Sequence, residues 1–161
     1  MKTPSVKPKL HSGHMKVAVA NLIGYRTHVI VPNVSWGWNL RHEADLIAVN
    51  SGNKVTEIEI KVSLSDLKAD FKKEHGHRDY LNRIGRLVYA VPVELRDAAA
   101  ELIPENCGII TVKWNGYRYS AEWYRATKYR KDVQPISDRE LISLMRLGAM
   151  RIWSLKQHNN K

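Results

Sequence analysis

One cysteine, Cys107, occurs in 161 residues, so an internal disulfide is excluded, as is any zinc site built on a cysteine cluster. Nor is there an apolar run near the roughly 20 residues that span a bilayer. The start, Met1 to Leu10, carries lysines with no apolar stretch behind them, which excludes a secretion signal. These absences point to a chain that avoids the membrane and works in a reducing, cytoplasmic setting. Acids are scarce relative to bases: 16 Asp and Glu against 26 Lys and Arg leave a net charge of +10 at neutral pH. Such a balance favours a polyanionic partner, because phosphate contacts supply most non-specific nucleic-acid affinity. Charge alone does not name the polyanion.

What is present is 43% hydrophobic residues, enough at this length for one core. The expected organisation is a mobile tail over 1–12 and a single domain over 13–161. A helix is expected from His14 to Ile23, stopped by Gly24, then a strand from Thr27 to Val34. Two strands at period two follow, Glu43 to Val49 and Lys54 to Val62, around the turn Ser51-Gly52-Asn53. Ser63 to Asp66 has capping-box spacing and opens a helix to about Glu74, with Leu64, Leu67 and Phe71 inward. Arg86 to Val91 reads as a strand, Val93 to Leu102 as a helix and Gly108 to Val112 as a strand. Asn115-Gly116 signals a hairpin to Tyr117 to Trp123. A second capping box, Ser137 to Glu140, opens a last helix to about Trp153, with Leu141, Leu144, Met145 and Ile152 inward and Met150 also in the core. The order predicts an α/β fold: a mixed sheet flanked by helices, with a C-terminal β-hairpin and helix.

The two alternating strands carry the chemistry. If Val49 pairs with Val55, then Ile47 lies opposite Glu57, Asp45 opposite Glu59 and Glu43 opposite Lys61. Asp45 and Glu59 then repel unless a cation lies between them, and a hard divalent ion such as Mg²⁺ suits two carboxylates. A two-residue turn at Gly52-Asn53 would shift the register and separate the acids. The even register is expected because it segregates the faces of the pair cleanly, with Ile58, Ile60 and Val62 on one side of the second strand and Glu57, Glu59 and Lys61 on the other.

An Asp on the second strand and Glu-x-Lys on the third resemble the PD-(D/E)XK nuclease superfamily. More narrowly, Glu43 to Val112 resembles the MmcB-type DNA repair nucleases of bacteria. The matching pieces are Glu43-Ala44-Asp45-Leu46, Glu59-Ile60-Lys61-Val62-Ser63, Asp66 to Asp70, Tyr80, Tyr89-Ala90-Val91-Pro92 and Gly108-Ile109-Ile110. The resemblance implies a restriction-endonuclease-like core and metal-dependent hydrolysis of DNA phosphodiesters in repair, recombination or restriction, endonucleolytic rather than exonucleolytic. Asp45, Glu59 and the backbone carbonyl of Ile60 would hold Mg²⁺, with Mn²⁺ as substitute. Lys61 would supply an ammonium, and Glu43 would fix it or join the metal shell. Glu57 is set as a peripheral member. Ala44 replaces the superfamily's Pro, and the first helix lacks the acid that many members carry there.

For DNA contacts the expected residues are Lys68 and Lys72 on the helix after Lys61, with Arg118, Arg125 and Lys128 in the segment Lys113 to Lys131. That segment holds six basic residues against one acid, interleaved with Trp114, Tyr117, Tyr119, Trp123, Tyr124 and Tyr129. Stacking on bases and packing on the core explain those aromatics equally well. Trp36 and Trp38 pose the same question. His75 and His77, with His42 elsewhere, read as a solvated pair rather than a metal site. A homodimer is compatible with this reading, and a catalytically silent nucleic-acid-binding protein is its alternative.

Overall fold

The structure is a computed structural model and describes residues 6–35, 38, 40, 42–72 and 83–159. Its first helix, α1 (Ser12–Ile23), ends where Gly24 takes a left-handed φ of 94° and returns its N–H to Ala20, a conformation that glycine adopts without steric cost. Strands β1 (Val29–Val34), β2 (Ala44–Val49) and β3 (Val55–Ile60) follow as an antiparallel meander. After α2 (Leu64–Phe71) come β4 (Ile84–Pro92), a 3-10 turn (Val93–Leu95) running into α3 (Arg96–Leu102), and β5 (Gly108–Trp114). Strand β6 (Tyr119–Arg125) and helix α4 (Asp138–Asn159) complete the order. The six strands lie in one sheet in chain order, with β3, β4 and β5 parallel to one another and the rest antiparallel. This is the expected mixed α/β architecture, an open sheet flanked by four helices.

Both faces are covered, and unequally. One face buries Leu46, Ala48, Ile58, Ile60, Val88, Ala90, Ile110 and Val112 under Met15, Ala18 and Val19 of α1. On the other, α4 covers Val31, Ile47 and Val49, while α2 and α3 cover Tyr89, Val91 and Ile109. Strand β3 runs between those two apolar clusters and carries Glu57 and Glu59, with Glu57 beside Ile47 on one side and Leu87 on the other. The acids therefore occupy a seam in an otherwise apolar face. Each large aliphatic side chain buried around it contributes about 1.5–3 kcal/mol.

The last helix departs from expectation. Its inward stripe is Leu141, Leu144 and Leu147, with Gly148 allowing close approach: a Cβ there would stand 3.2 Å from Val31 Cγ2. Met145, Met150 and Ile152, expected inward, are exposed, as are Trp153 and Leu155. Choosing Leu141 and Leu144 as the seam rotates Met145 and Ile152 outward. Phe71 is likewise half exposed, its ring 5.6 Å from that of Tyr89.

The tail expected to be mobile is tied over part of its length. Leu10 packs on the α1 cluster, and Tyr119 Oη donates to the Pro8 carbonyl at 2.6 Å. His75, His77, Tyr80, Trp36 and the helix end near Glu74 lie outside the described residues. Among the described residues no helix is long and apolar enough to cross a membrane.

Candidate metal centre

The β2–β3 turn fixes the register on which the site depends. Asn53 adopts a left-handed φ of 56°, and Asn50 Oδ1 accepts the N–H groups of Gly52 and Lys54, each at 3.0 Å. Asn50 N–H in turn reaches the Lys54 carbonyl at 3.2 Å. Ser51-Gly52-Asn53 is thus a three-residue loop. Pairing runs from Val49 with Val55 to Leu46 with Ile58, including Ile47 with Glu57, which is the even register.

Glu59 and Lys61 are both 5% exposed, and Glu57 is 1% exposed. The Lys61 ammonium lies 2.9 Å from Glu59 Oε2 and 3.0 Å from Asp70 Oδ1. Asp70 comes from α2, which begins where Ser63 Oγ accepts the Asp66 N–H at 3.1 Å. Leu67 and Asp70, three apart, then turn inward together. Tyr89 Oη donates to the second Asp70 oxygen at 3.4 Å. Glu43, the partner expected for Lys61, is exposed instead. Asp70 takes that place because pairing with β2 has ended by Lys61, whose N–H bonds the Ala90 carbonyl of β4, and the chain then turns into α2.

Burial raises the Glu59 pKa above the usual carboxylate range, opposed by Lys61 and reinforced by Glu57 and Asp45. Burial would by itself lower the Lys61 pKa, but Glu59 and Asp70 outweigh it and raise it further. Lys61 is therefore a fixed ammonium across the neutral range. Burial also raises the Tyr89 pKa, with Asp70 adding to the effect, so its hydroxyl remains a donor.

His42, Glu57 and Glu59 offer one ligand atom each, all within 4.8 Å of one another, with His42 Nε2 in close contact with Glu57 Oε1. Glu59 Oε1 is buried without a hydrogen-bond partner among the described residues. Asp45, expected to face Glu59, turns elsewhere. Its Oδ1 lies 3.1 Å from Lys16 Nζ on α1 and its Oδ2 accepts the Ile60 N–H at 3.0 Å. A left-handed Asn33, φ 52°, lies in β1, and its side chain also accepts from Lys16. Val31 and Val34, three residues apart, consequently share one cluster, as do Ala44 and Ile47 across from them. The alternation breaks at this end of the sheet and the Asp45 carboxylate meets α1. Ile60, the last residue of β3, packs against the α1 cluster.

Among the expected DNA contacts, Lys68 and Lys72 are exposed on α2. Arg118 is exposed in the β5–β6 turn, at the sheet end that also holds Ile60 and Lys61. Lys128 is exposed at the opposite end, where Arg130 N–H bonds the Gly85 carbonyl at the start of β4. Arg125 turns inward and ties down the chain that leaves α3. Its guanidinium donates to the carbonyls of Cys107 at 3.0 Å, Ile103 at 2.8 Å and Pro104 at 2.8 Å. The aromatics of the segment divide: Trp114, Tyr119 and Trp123 pack on the core, while Tyr117 and Tyr124 face outward. Trp38 is buried, its indole donating to the Glu140 carbonyl at 3.0 Å.

Asp70 is not among the expected site residues, whereas His42, expected to be solvated, and Glu57, expected to be peripheral, lie within 4.8 Å of Glu59 by their ligand atoms. The i, i+3 step from Leu67 was the available signal for Asp70. For Glu57 it was the shared face with Glu59.

No curated protein matches. A solved structure titled SPO1766 protein of unknown function, from Silicibacter pomeroyi, is similar in fold, with a TM-score of 0.65 at 22% identity over 96% of this chain and 94% of that one. A family model described as DNA repair protein MmcB-like matches residues 6–159, and the chain belongs to that MmcB-like family.

Proposed function

We propose that the chain is a divalent-metal-dependent DNA nuclease of the PD-(D/E)XK type, acting in DNA repair and cutting endonucleolytically. The observation that carries this reading is Glu59: a buried carboxylate with one oxygen unpartnered among the described residues, adjoining an ammonium two residues on. Leaving a buried acceptor unmet costs about 1–3 kcal/mol, more when it is charged. A divalent cation meets that need at Glu59, whereas Asp45, which the superfamily resemblance pairs with it, would join the ion only by giving up Lys16. Glu59, Asp45 and the Ile60 carbonyl would hold Mg²⁺, with Mn²⁺ able to substitute. Once bound, the ion would polarise the scissile phosphate and acidify a water.

The chain's own groups supply the rest. Lys61 Nζ, kept protonated, serves as a fixed positive charge beside the phosphate and not as a proton acceptor. Asp70, held by Tyr89, sets the direction of that ammonium. Lys68, Lys72 and Arg118 contact the DNA backbone from the same end of the sheet, with Lys128 as a more distant phosphate contact. The net charge of +10 and membership of a DNA repair family support DNA as the partner.

One observation favours the silent-binding alternative. On α1 the residue reaching Asp45 is Lys16, a cation where many superfamily nucleases carry an acid. The experiment is incubation with supercoiled and single-stranded DNA in Mg²⁺, Mn²⁺ or EDTA, comparing wild type with Glu59→Ala and Lys61→Ala at a temperature where all three are folded. Cleavage by wild type alone, abolished by EDTA, is the expected result. Cleavage that persists in the variants or in EDTA contradicts the assignment, and binding without cleavage selects the silent module.

A further inference from the structure

We infer that His42, Glu57 and Glu59 form a site for a first-row divalent transition-metal ion, sharing Glu59 with the proposed Mg²⁺ donors and selecting against Mg²⁺ through the imidazole. Burial of the donors is the first support: Glu57 is 1% and Glu59 5% exposed, so an ion between their carboxylates neutralises charge that water scarcely reaches.

Donor geometry is the second support. Donors about 2.0–2.2 Å from one tetrahedral ion stand about 3.3–3.6 Å apart. His42, Glu57 and Glu59 present theirs within 4.8 Å, so closure asks for a side-chain adjustment of about an ångström. The third support is that Glu59 Oε1 lacks a hydrogen-bond partner among the described residues while its residue is 5% exposed. One imidazole and two carboxylates suit Mn²⁺, Fe²⁺ or Zn²⁺, whereas Mg²⁺ favours an all-oxygen set.

This site goes beyond the nuclease reading, since it binds metal whether or not DNA is cut. The test titrates EDTA-treated, full-length protein with Mn²⁺, Zn²⁺ and Mg²⁺ separately, reading heat of binding and melting temperature without DNA. Wild type is expected to bind Mn²⁺ or Zn²⁺ at one equivalent with a raised melting temperature, and Mg²⁺ at least tenfold more weakly. His42→Gln and Glu57→Gln are each expected to weaken the transition-metal affinity at least tenfold, with metal-free circular dichroism unchanged. Equal affinity in His42→Gln and wild type overturns the site, as does the absence of binding by wild type. If Glu57→Gln alone fails to fold, the His42→Gln comparison still decides. Binding without DNA cleavage upholds this site and contradicts the nuclease. Mg²⁺-dependent cleavage with no transition-metal binding does the reverse.

Discussion

Removing the Lys61 ammonium probes the centre of β3 most severely. Its nitrogen lies 2.9 Å from Glu59 and 3.0 Å from Asp70. At an effective dielectric near 20, each contact is worth about 5–6 kcal/mol of Coulomb energy, set against several kcal/mol of desolvation for each of the three ions. The intact group therefore contributes little net stability, but removing the cation leaves two desolvated carboxylates without the ammonium that both share. Lys61→Met is expected to cost about 3–5 kcal/mol at pH 8. The pH dependence follows from the shifts. Because the folded pKa of Lys61 is raised, its contribution is fully present below the unfolded value of 10.5 and fades only above it. Glu59, whose folded pKa is already raised from 4.5, rises further without Lys61 and takes up a proton as pH falls. The penalty should therefore shrink towards pH 5. Urea unfolding of wild type and variant at both pH values measures it. A loss under about 1 kcal/mol at pH 8, or one that does not change with pH, refutes the buried three-ion arrangement.

Asp45→Asn is expected to change stability by under about 1 kcal/mol in urea unfolding, since relief of repulsion with Glu59 is offset by loss of the half-exposed Lys16 pair. A loss above about 2 kcal/mol contradicts that balance. Arg125→Ala should cost about 1.5–3 kcal/mol by releasing the carbonyls of the segment between α3 and β5, while leaving the salt dependence of DNA binding unchanged. Arg118→Ala should instead leave stability alone and reduce the salt slope by about one, as a phosphate contact does. On α4, Leu144→Ala should cost about 2–5 kcal/mol, whereas Ile152→Ser and Trp153→Ser, at positions 56% and 65% exposed, should fall within about 0.5 kcal/mol of wild type. Equal losses at the three positions would mean that α4 is packed on both sides.

Strand register was legible because it is a local property: period-two alternation on β3 and a loop that tolerates a left-handed Asn53 both point to Val49 opposite Val55. The helix caps at Ser63 and Ser137 were legible for the same reason, and Ser137 and Glu140 form a reciprocal pair, N–H to carboxylate at 2.9 Å and N–H to hydroxyl at 3.3 Å. Tertiary partners were not. That Asp45 would meet Lys16 depends on how α1 crosses the sheet, and that Asp70 would meet Lys61 depends on where α2 docks. Arg125 reads as a free charge until the carbonyls of Ile103, Pro104 and Cys107, between α3 and β5, are placed beside it. On α4, two apolar stripes satisfy helical spacing equally well, and only packing on Val31 and Ile47 selects the one through Leu144.

The central claim is that Glu59 anchors a metal-dependent DNA cleavage site, and Glu59→Gln isolates it. The substitution keeps the side-chain shape and removes a buried charge, so the variant should fold. The measurement is the single-turnover rate of supercoiled-plasmid nicking in Mg²⁺ or Mn²⁺, wild type against Glu59→Gln, with folding checked by circular dichroism. A folded variant should nick at least about 100-fold more slowly; a rate within a few-fold of wild type means that Glu59 holds no catalytic ion.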